Sequence, residues 1–489
     1  MPLVTASITM ARVISAREVA LEYKHAVLHE YTGVVTVSEL DPSHATETIL
    51  FNDRPASFCS AGLNAAQDTV AINVGQEIHL YHLDDGKVSK LKGHTAAVES
   101  LAFSPTGNTL VSEARPPDYG HDNEEPVSEV IMWNTDDLGD EEAGGIAGEA
   151  ELKQMGAKGV TAVQEELIRR NLSLRLSVEE ETGMVQAMAN LLDRYQTQRR
   201  VAPENRLIGR LATSFGSQTF SPDGRKVIYL PGPEPRSNGD DQWDISVYDL
   251  NGRSTTTLVG HRDSVMSTMF SPDMRSIATV AWDETVRIWD AASGVQRHVF
   301  QTGQQNWAGV FSPDSRFFLA TTGDGTVRIW NVVSGEKKWE WNYGTWCRAV
   351  DWSSDERWLA IGGEHRGRLV IFEIADPDLE NPPALRHDRS LGEQAAEDDA
   401  SPFGHIRARM LEVQRVKLLP ATTGGGVKVA SITTIDQAVE VFDLDNGKKW
   451  RIKAKGGDNV QCGAEFFWLE KKGELLTIAR DGIRTWKLE

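Results

Sequence analysis

The sequence predicts an all-β protein in which small antiparallel sheets stack side by side and close into a ring, with one helical insertion. Three observations carry that expectation. A unit of about forty residues is written twice in succession over residues 255–335. Inside it, Thr285, Arg287 and Trp289 alternate with Val286, Ile288 and Asp290, as a strand with two unlike faces requires. Residues 136–203 lose this alternation and carry helix signals instead. A unit of this kind is too apolar to stand alone, so copies must stack, and closing the ring removes exposed sheet edges.

The first copy reads Leu258-Val259-Gly260-His261, Phe270-Ser271-Pro272-Asp273 and Asp283-Glu284-Thr285-Val286-Arg287-Ile288-Trp289-Asp290. The second has Phe311-Ser312-Pro313-Asp314 and Asp324-Gly325-Thr326-Val327-Arg328-Ile329-Trp330-Asn331. Both end in Ser-Gly, at Ser293-Gly294 and Ser334-Gly335. Ser-Pro-Asp between two such strands is turn chemistry. On these landmarks the chain resembles the WD-repeat β-propeller family. The resemblance implies a closed β-propeller acting as a binding platform. It also implies that His261, Thr279, Asp283 and Trp289 form a hydrogen-bonded structural tetrad within one blade, in keeping with the pairing of buried polar groups. The second copy keeps Asp324 and Trp330 but has Gly303-Gln304 in the Gly-His place, so its tetrad is incomplete.

Taken in order, residues 1–45 read as an N-terminal arm with a hairpin over 26–40, turning at Thr32-Gly33. The first seventeen residues, with Arg12 and Arg17 and no acid, faintly resemble a transit peptide but lack an Arg-rich helical face, so an edge strand or loose arm is the better reading. Residues 46–135 hold the first repeats. Thr48-Ile49-Leu50-Phe51 is expected to pair with the last strand, at Ile483-Arg484-Thr485-Trp486, and join the two ends of the chain. Residues 136–203 read as a helical hairpin. Ser177 and Glu180 have capping-box spacing, and Met184, Met188, Leu191, Leu192 and Tyr195 share one face. That face either packs on the rim of the ring or offers a docking arm to a partner.

Residues 204–375 hold the central repeats, the last with Arg366 where the tetrad aspartate belongs. Residues 376–407, rich in Pro, Asp and Glu, read as a disordered surface loop. Residues 408–489 hold the last repeats and the closure of the ring, with Asp436 at a tetrad position. The count is eight units, or seven if the weak first unit serves only to close the ring.

Whole-chain properties narrow the function. A formal charge of −20 argues against a nucleic-acid backbone as the main ligand, since phosphate binding wants clustered Lys and Arg. Cys59, Cys347 and Cys462 are far apart and odd in number, which fits a reducing compartment, in the cytoplasm, the nucleus or both. No run of eighteen apolar residues is present, so no membrane span is expected. Nucleophile elbow, zincin and P-loop spacings are absent, so neither an enzyme nor a metal or cofactor site is expected.

Binding residues follow from the family resemblance. The residue four places before the Ser-Pro-Asp phenylalanine falls near the channel mouth in family members, and here those positions are Glu99, Met266, Trp307 and Arg348. Trp282, just before the tetrad aspartate, faces the same mouth, and Trp346 lies two residues from Arg348. An exposed Trp cluster beside Arg348 would be an interaction hot spot. The competing reading turns Trp307 and Trp346 inward to fill space between blades. The expected function is a non-catalytic scaffold for other proteins. Alternatives are a reader of methyl-lysine held among Trp282, Trp307 and Trp346, a ubiquitin-ligase substrate receptor, and a phosphoinositide or nucleic-acid binder using Arg169-Arg170 and Arg199-Arg200.

Overall fold

The computed structural model describes residues 45–51, 60–115, 128–135, 149–169, 177–200, 205–212, 216–231, 243–364, 366–390, 412–420, 426–433, 439–445, 447–452, 465–479 and 482–488. The hairpin expected at 26–40, residues 116–127 and 232–242, the acidic run beyond residue 390 and Asp436 lie outside them. Two compact units divide the chain, residues 58–210 and the remainder.

In the smaller unit, β2 (Ala61–Leu63), β3 (Thr69–Val74), β4 (Glu77–His82) and β5 (Val88–Lys92) form an antiparallel four-stranded sheet. Then β6 (Val98–Phe103), β7 (Thr109–Ala114), β8 (Glu129–Asn134) and β9 (Arg206–Leu211) pair in that order. Ala71, Ile78 and Leu80 from the first sheet close on Leu101 and Leu110 from the second.

Two helices, α1 (Glu149–Arg169) and α2 (Val178–Arg200), lie between β8 and β9 in sequence. Ser177 caps α2 reciprocally: its N–H donates to Glu180 Oε2 at 2.7 Å and its Oγ accepts the Glu180 N–H at 3.2 Å. The apolar line of α1 is Leu152, Gly156 and Val160, buried at helical spacing, while Val163 is exposed. That line packs against α2, where Leu152 meets Ala189. A Cβ at Gly156 would stand 2.7 Å from the Val185 carbonyl oxygen, so glycine sets how closely the two helices approach.

The larger unit begins with β1 (Ala45–Phe51) and continues with β10 (Lys226–Pro231), β11 (Ile245–Asp249) and β12 (Ser254–Leu258), where Phe220 bridges to Val227 on the far side of β10. Four-stranded antiparallel sheets follow. One is β13 (Val265–Phe270), β14 (Ser276–Ala281), β15 (Thr285–Asp290) and β16 (Gln296–Gln301). The next is β17 (Asn306–Phe311), β18 (Phe317–Thr322), β19 (Thr326–Asn331) and β20 (Lys337–Asn342). Then come β21 (Cys347–Trp352), β22 (Trp358–Gly363), β23 (Arg368–Glu373) and β24 (Ala384–Ser390). After them lie β25 (Val413–Leu419), β26 (Lys428–Thr433), β27 (Val439–Asp443) and β28 (Lys449–Ile452). The last strands are β29 (Glu465–Leu469), β30 (Glu474–Ala479) and β31 (Gly482–Leu488), and β1 pairs antiparallel with β31 as the fourth strand of their sheet, Thr48 opposite Thr485.

The β24 strand corrects the reading of 376–407 as a single surface loop. Ala384 to Ser390 pair with β23, and their mostly exposed, polar sequence carries no strand period to read.

Alternate residues on each strand face opposite neighbouring sheets, so every sheet between two others contributes to two cores. Met269, Val280 and Ile288 meet Phe311, Phe318 and Trp330 on one side, whereas Phe270, Ile277 and Trp289 meet Ile228 and Val247 on the other. The Ser-Pro-Asp turns repeat one device. Ser271 Oγ donates to Asp273 Oδ1 at 2.6 Å and accepts the Ser276 N–H at 2.9 Å, and Met274 sits at φ 61°. Ser312, Ser353 and Ser221 repeat the Ser-to-Asp bond two residues on.

Among the described residues, no helix is long and apolar enough to cross a membrane, and no group of His, Cys, Asp and Glu could hold a metal ion.

Candidate functional site

Thr279 lies on β14 and Trp289 on β15, so their side chains reach one face of one sheet, and the loop holding His261 crosses above them. Trp289 Nε1 donates to Thr279 Oγ1 at 2.9 Å, and Thr279 Oγ1 meets His261 Nε2 at 2.6 Å. His261 Nδ1 stands 2.8 Å from Asp283 Oδ2. The donors all point one way only if the imidazole is neutral with its proton on Nδ1: Trp N–H to Thr, Thr O–H to His, His N–H to Asp. Burial depresses the His261 pKa below its ordinary 6.5, against the opposing pull of Asp283. For Asp283, burial alone would raise the pKa, but hydrogen bonds from His261, Thr285 and the Arg262 N–H outweigh it and hold the carboxyl at about 2.

Both shifts make acid unfold the sheet. Below pH 6.5 the unfolded chain takes up the histidine proton before the folded chain does, so stability falls from there downward. The Asp283 contribution is present above 3.8, is lost as pH falls from 3.8 to about 2, and is worth about 2 kcal/mol. The melting temperature is therefore expected to decline steadily between about pH 7 and 4, and Asp283→Asn is expected to lower it at neutral pH. A flat profile would contradict the network.

An equivalent network stands in the smaller unit. Trp133 Nε1 donates to Ser112 Oγ at 2.7 Å, Ser112 Oγ lies 2.7 Å from His94 Nε2, and His94 Nδ1 lies 3.1 Å from Glu129 Oε1. Arg206 on β9 pairs with the other Glu129 oxygen and donates to the Gly93 carbonyl at 2.9 Å. The acid has moved: Asp283 precedes its tryptophan by six residues (289 − 283), Glu129 by four (133 − 129), and the longer side chain covers the difference.

The third constellation is aromatic. Trp282 follows β14, Trp307 is on β17, and Trp346 leads into β21, so three successive sheets each contribute one indole. Trp282 and Trp307 meet edge to face with centroids 5.2 Å apart, and Trp307 and Trp346 stack at 5.2 Å. Arg348 lies over both of the latter, its Cζ 4.5 Å from the Trp307 centroid and 4.9 Å from that of Trp346. Its Nη1 reaches Glu412 Oε1, at the head of β25 in a fourth sheet, at 3.3 Å. Met266 packs beneath Trp282 and Trp307.

With these networks in place, the comparisons can be read. The family model described as WD domain, G-beta repeat matches residues 86–114, 252–290 and 298–331. The chain carries WD repeats at these three stretches. No curated relative matches it. Among solved structures, the β-propeller domain of Myceliophteria thermophila Cps50 (Swd1) is similar over 91% of this chain and 100% of that chain, at 13% identity and a TM-score of 0.47.

The WD-repeat residues expected on an exposed face need correction. Trp307 is 1% exposed, Trp282 and Met266 4%, and Arg348 6%, so these four form a seam between blades and not a surface. Trp346 is half-buried, and Glu99, on β6 in the other unit, is exposed. The strand alternation explains the inversion: a position that nears the loop end in register still points sideways into the next sheet. Trp307 and Trp346 stack on each other at 5.2 Å, with no room for a ligand cation between them, and the Arg348 guanidinium already lies against both rings.

Histidine between a hydroxyl and a carboxylate is the connectivity of a nucleophile triad. Here it cannot act so, because Thr279 and Ser112 are both 0% exposed and each hydroxyl oxygen already accepts an indole N–H. In the next repeat Trp330 has Ala320 in the hydroxyl place and stacks on Phe300 instead, centroids 4.7 Å apart. Where Arg366 replaces the tetrad aspartate, packing is joined by a polar clamp: Arg368 grips Asp388 on β24 through Nε at 2.8 Å and Nη2 at 2.6 Å.

Proposed function

We propose that this WD-repeat protein is a non-catalytic scaffold that assembles a multiprotein complex, built as a closed ring of eight blades. The pairing of β1 with β31 supports closure, since it joins the two ends of the chain within one sheet. Eight units are reached by counting Phe220, β10, β11 and β12 as one blade. The observation that carries the scaffold reading is that the convergent polar networks, the two His-centred chains and the Arg348–Glu412 pair, are sealed between strands. Their chemistry goes into rigidity, which leaves loop ends and helices for partners. The loop end around Trp346 is the face proposed for binding. Glu284, Gln304 and Gln305 are exposed there, and Gly323 N–H to the Gln305 carbonyl at 2.7 Å ties its neighbouring loops together. Helices α1 and α2 offer a second contact.

The reading includes an intracellular, reducing location, in cytoplasm, nucleus or both. Cys347 is consistent with it as a buried free thiol, pushed up by burial to about 12 and so inert.

The test is purification from the native host of the intact protein, a Gln304→Arg/Gln305→Arg/Trp346→Ala variant, and a variant with 149–200 replaced by a short linker. A defined set of proteins is expected with the intact chain and lost with the triple variant while that variant still unfolds cooperatively. Loss only on deleting the helices would move the site to them. An intact protein that retains no partner would end the scaffold reading.

A further inference from the structure

The turns that join the last two strands of several sheets share one device. Between β15 and β16, Asp290 Oδ1 accepts the Ala292 and Ser293 N–H groups at 3.1 and 2.8 Å, and Gly294 then turns left-handed at φ 72°. Between β19 and β20, Asn331 Oδ1 accepts the Val333 and Ser334 N–H groups at 3.0 and 2.8 Å, and Gly335 takes φ 73°. Between β27 and β28, Asp443 Oδ1 accepts the Asp445 N–H at 3.0 Å, and Gly447 takes φ 72°. The left-handed backbone is what calls for glycine there.

The turn between β11 and β12, Leu250-Asn251-Gly252-Arg253, keeps the device but displaces the glycine. Asp249 Oδ1 accepts the Asn251 N–H at 2.9 Å and the Gly252 N–H at 2.7 Å. Arg253 stands four residues after Asp249 (253 − 249), as Gly294 does after Asp290 (294 − 290), and it takes the left-handed place at φ 48°. Gly252 is not left-handed, and a Cβ on it would stand 3.5 Å from Asp249 Cγ and Ser254 Oγ, an ordinary contact. The turn therefore does not require glycine at 252. There it follows Asn251, and both residues are exposed. A glycine nitrogen has no neighbouring side chain to shield it from the carboxamide of a preceding asparagine, so such a pair is open to succinimide chemistry.

We propose that Asn251 is a modification site gated by its turn, converting to aspartate and isoaspartate when Asp249 releases the Gly252 N–H. The Gly252 nitrogen gives its proton to solvent and attacks Asn251 Cγ. The new C–N bond closes a succinimide ring, and the carboxamide nitrogen leaves as ammonia, taking a proton back from solvent. Water then opens either imide carbonyl, giving the aspartyl or the isoaspartyl residue, and no oxidant or reductant takes part. While the turn is closed, the charge-assisted bond keeps the proton on the Gly252 nitrogen and aims that nitrogen at Asp249. Either product sets a new carboxylate beside Asp249, and the isoaspartyl form adds a methylene to the main chain. Conversion thus leaves a lasting record of local opening at the β11–β12 turn. The proposal is independent of the scaffold reading.

The experiment holds the full chain at mildly alkaline pH and follows Asn251 by peptide mass, which separates acid from amide, and by isoaspartyl methylation. A free peptide of residues 246–256 is the reference. Conversion in the folded chain is expected to be slower than in the peptide on the order of tenfold, the scale of one hydrogen bond to a charged group. Asp249→Ala should bring the rate up to that of the peptide. Asp249→Asn should keep it slow, because Asn331 holds the corresponding N–H groups in its own turn. Gly252→Ala should suppress conversion in either background. A folded wild type that converts as fast as the peptide would overturn the proposal, even where Asp249→Ala does not fold. So would an Asp249→Ala chain no faster than wild type, the result expected if the carboxylate instead drew the proton off.

Discussion

Trp307→Ala is expected to destabilise the protein by about 3 to 5 kcal/mol, the range for removing a large aromatic from a packed interior. The side chain is 1% exposed and touches the rings of Trp282 and Trp346 and the Arg348 guanidinium, which belong to the sheets before and after its own. None of these neighbours can follow the lost ring without moving its own sheet, so the cavity stays open. Urea unfolding of both proteins would measure the difference. A loss below about 1 kcal/mol, the scale of a surface substitution, would mean that the ring is not packed as described. Partner binding lost in this variant would reflect unfolding, unlike loss in the Trp346 variant.

Arg348→Met is expected to cost about 3 to 5 kcal/mol, because it removes one partner of a buried ion pair with Glu412. Glu412 is 1% exposed. The double variant Arg348→Met/Glu412→Leu should recover most of that loss, since an apolar pair of similar volume often replaces a buried ion pair at no net cost. A double variant no better than the single one would show that the pair matters through geometry that hydrocarbon cannot supply.

Periodicity and turn chemistry made the central sheets legible in the sequence. Thr285 to Asp290 and Thr326 to Asn331 alternate without interruption and are bounded by Ser-Pro-Asp and Ser-Gly, and both are strands. The capping spacing of Ser177 and Glu180 likewise marked the start of a helix. What sequence hid had physical causes. The Ser112–His94–Glu129 chain was missed because its acid arrives from a different register position and belongs with Arg206, 77 residues away in sequence. Glu412 looked like one acid among many until the fold set it against Arg348. The Trp seam was misplaced because a position within a repeat fixes height along a strand, while the face depends on pleat and bulge, and β17 is irregular between Asn306 and Gly309.

The three indoles in contact have an optical consequence. Trp282, Trp307 and Trp346 are close enough for their excited states to mix, and each rides on a different sheet. Any slippage of one sheet past the next would uncouple them and change the near-ultraviolet circular dichroism, even with every strand intact. The protein thus carries an internal gauge of how three successive sheets align, readable without a label.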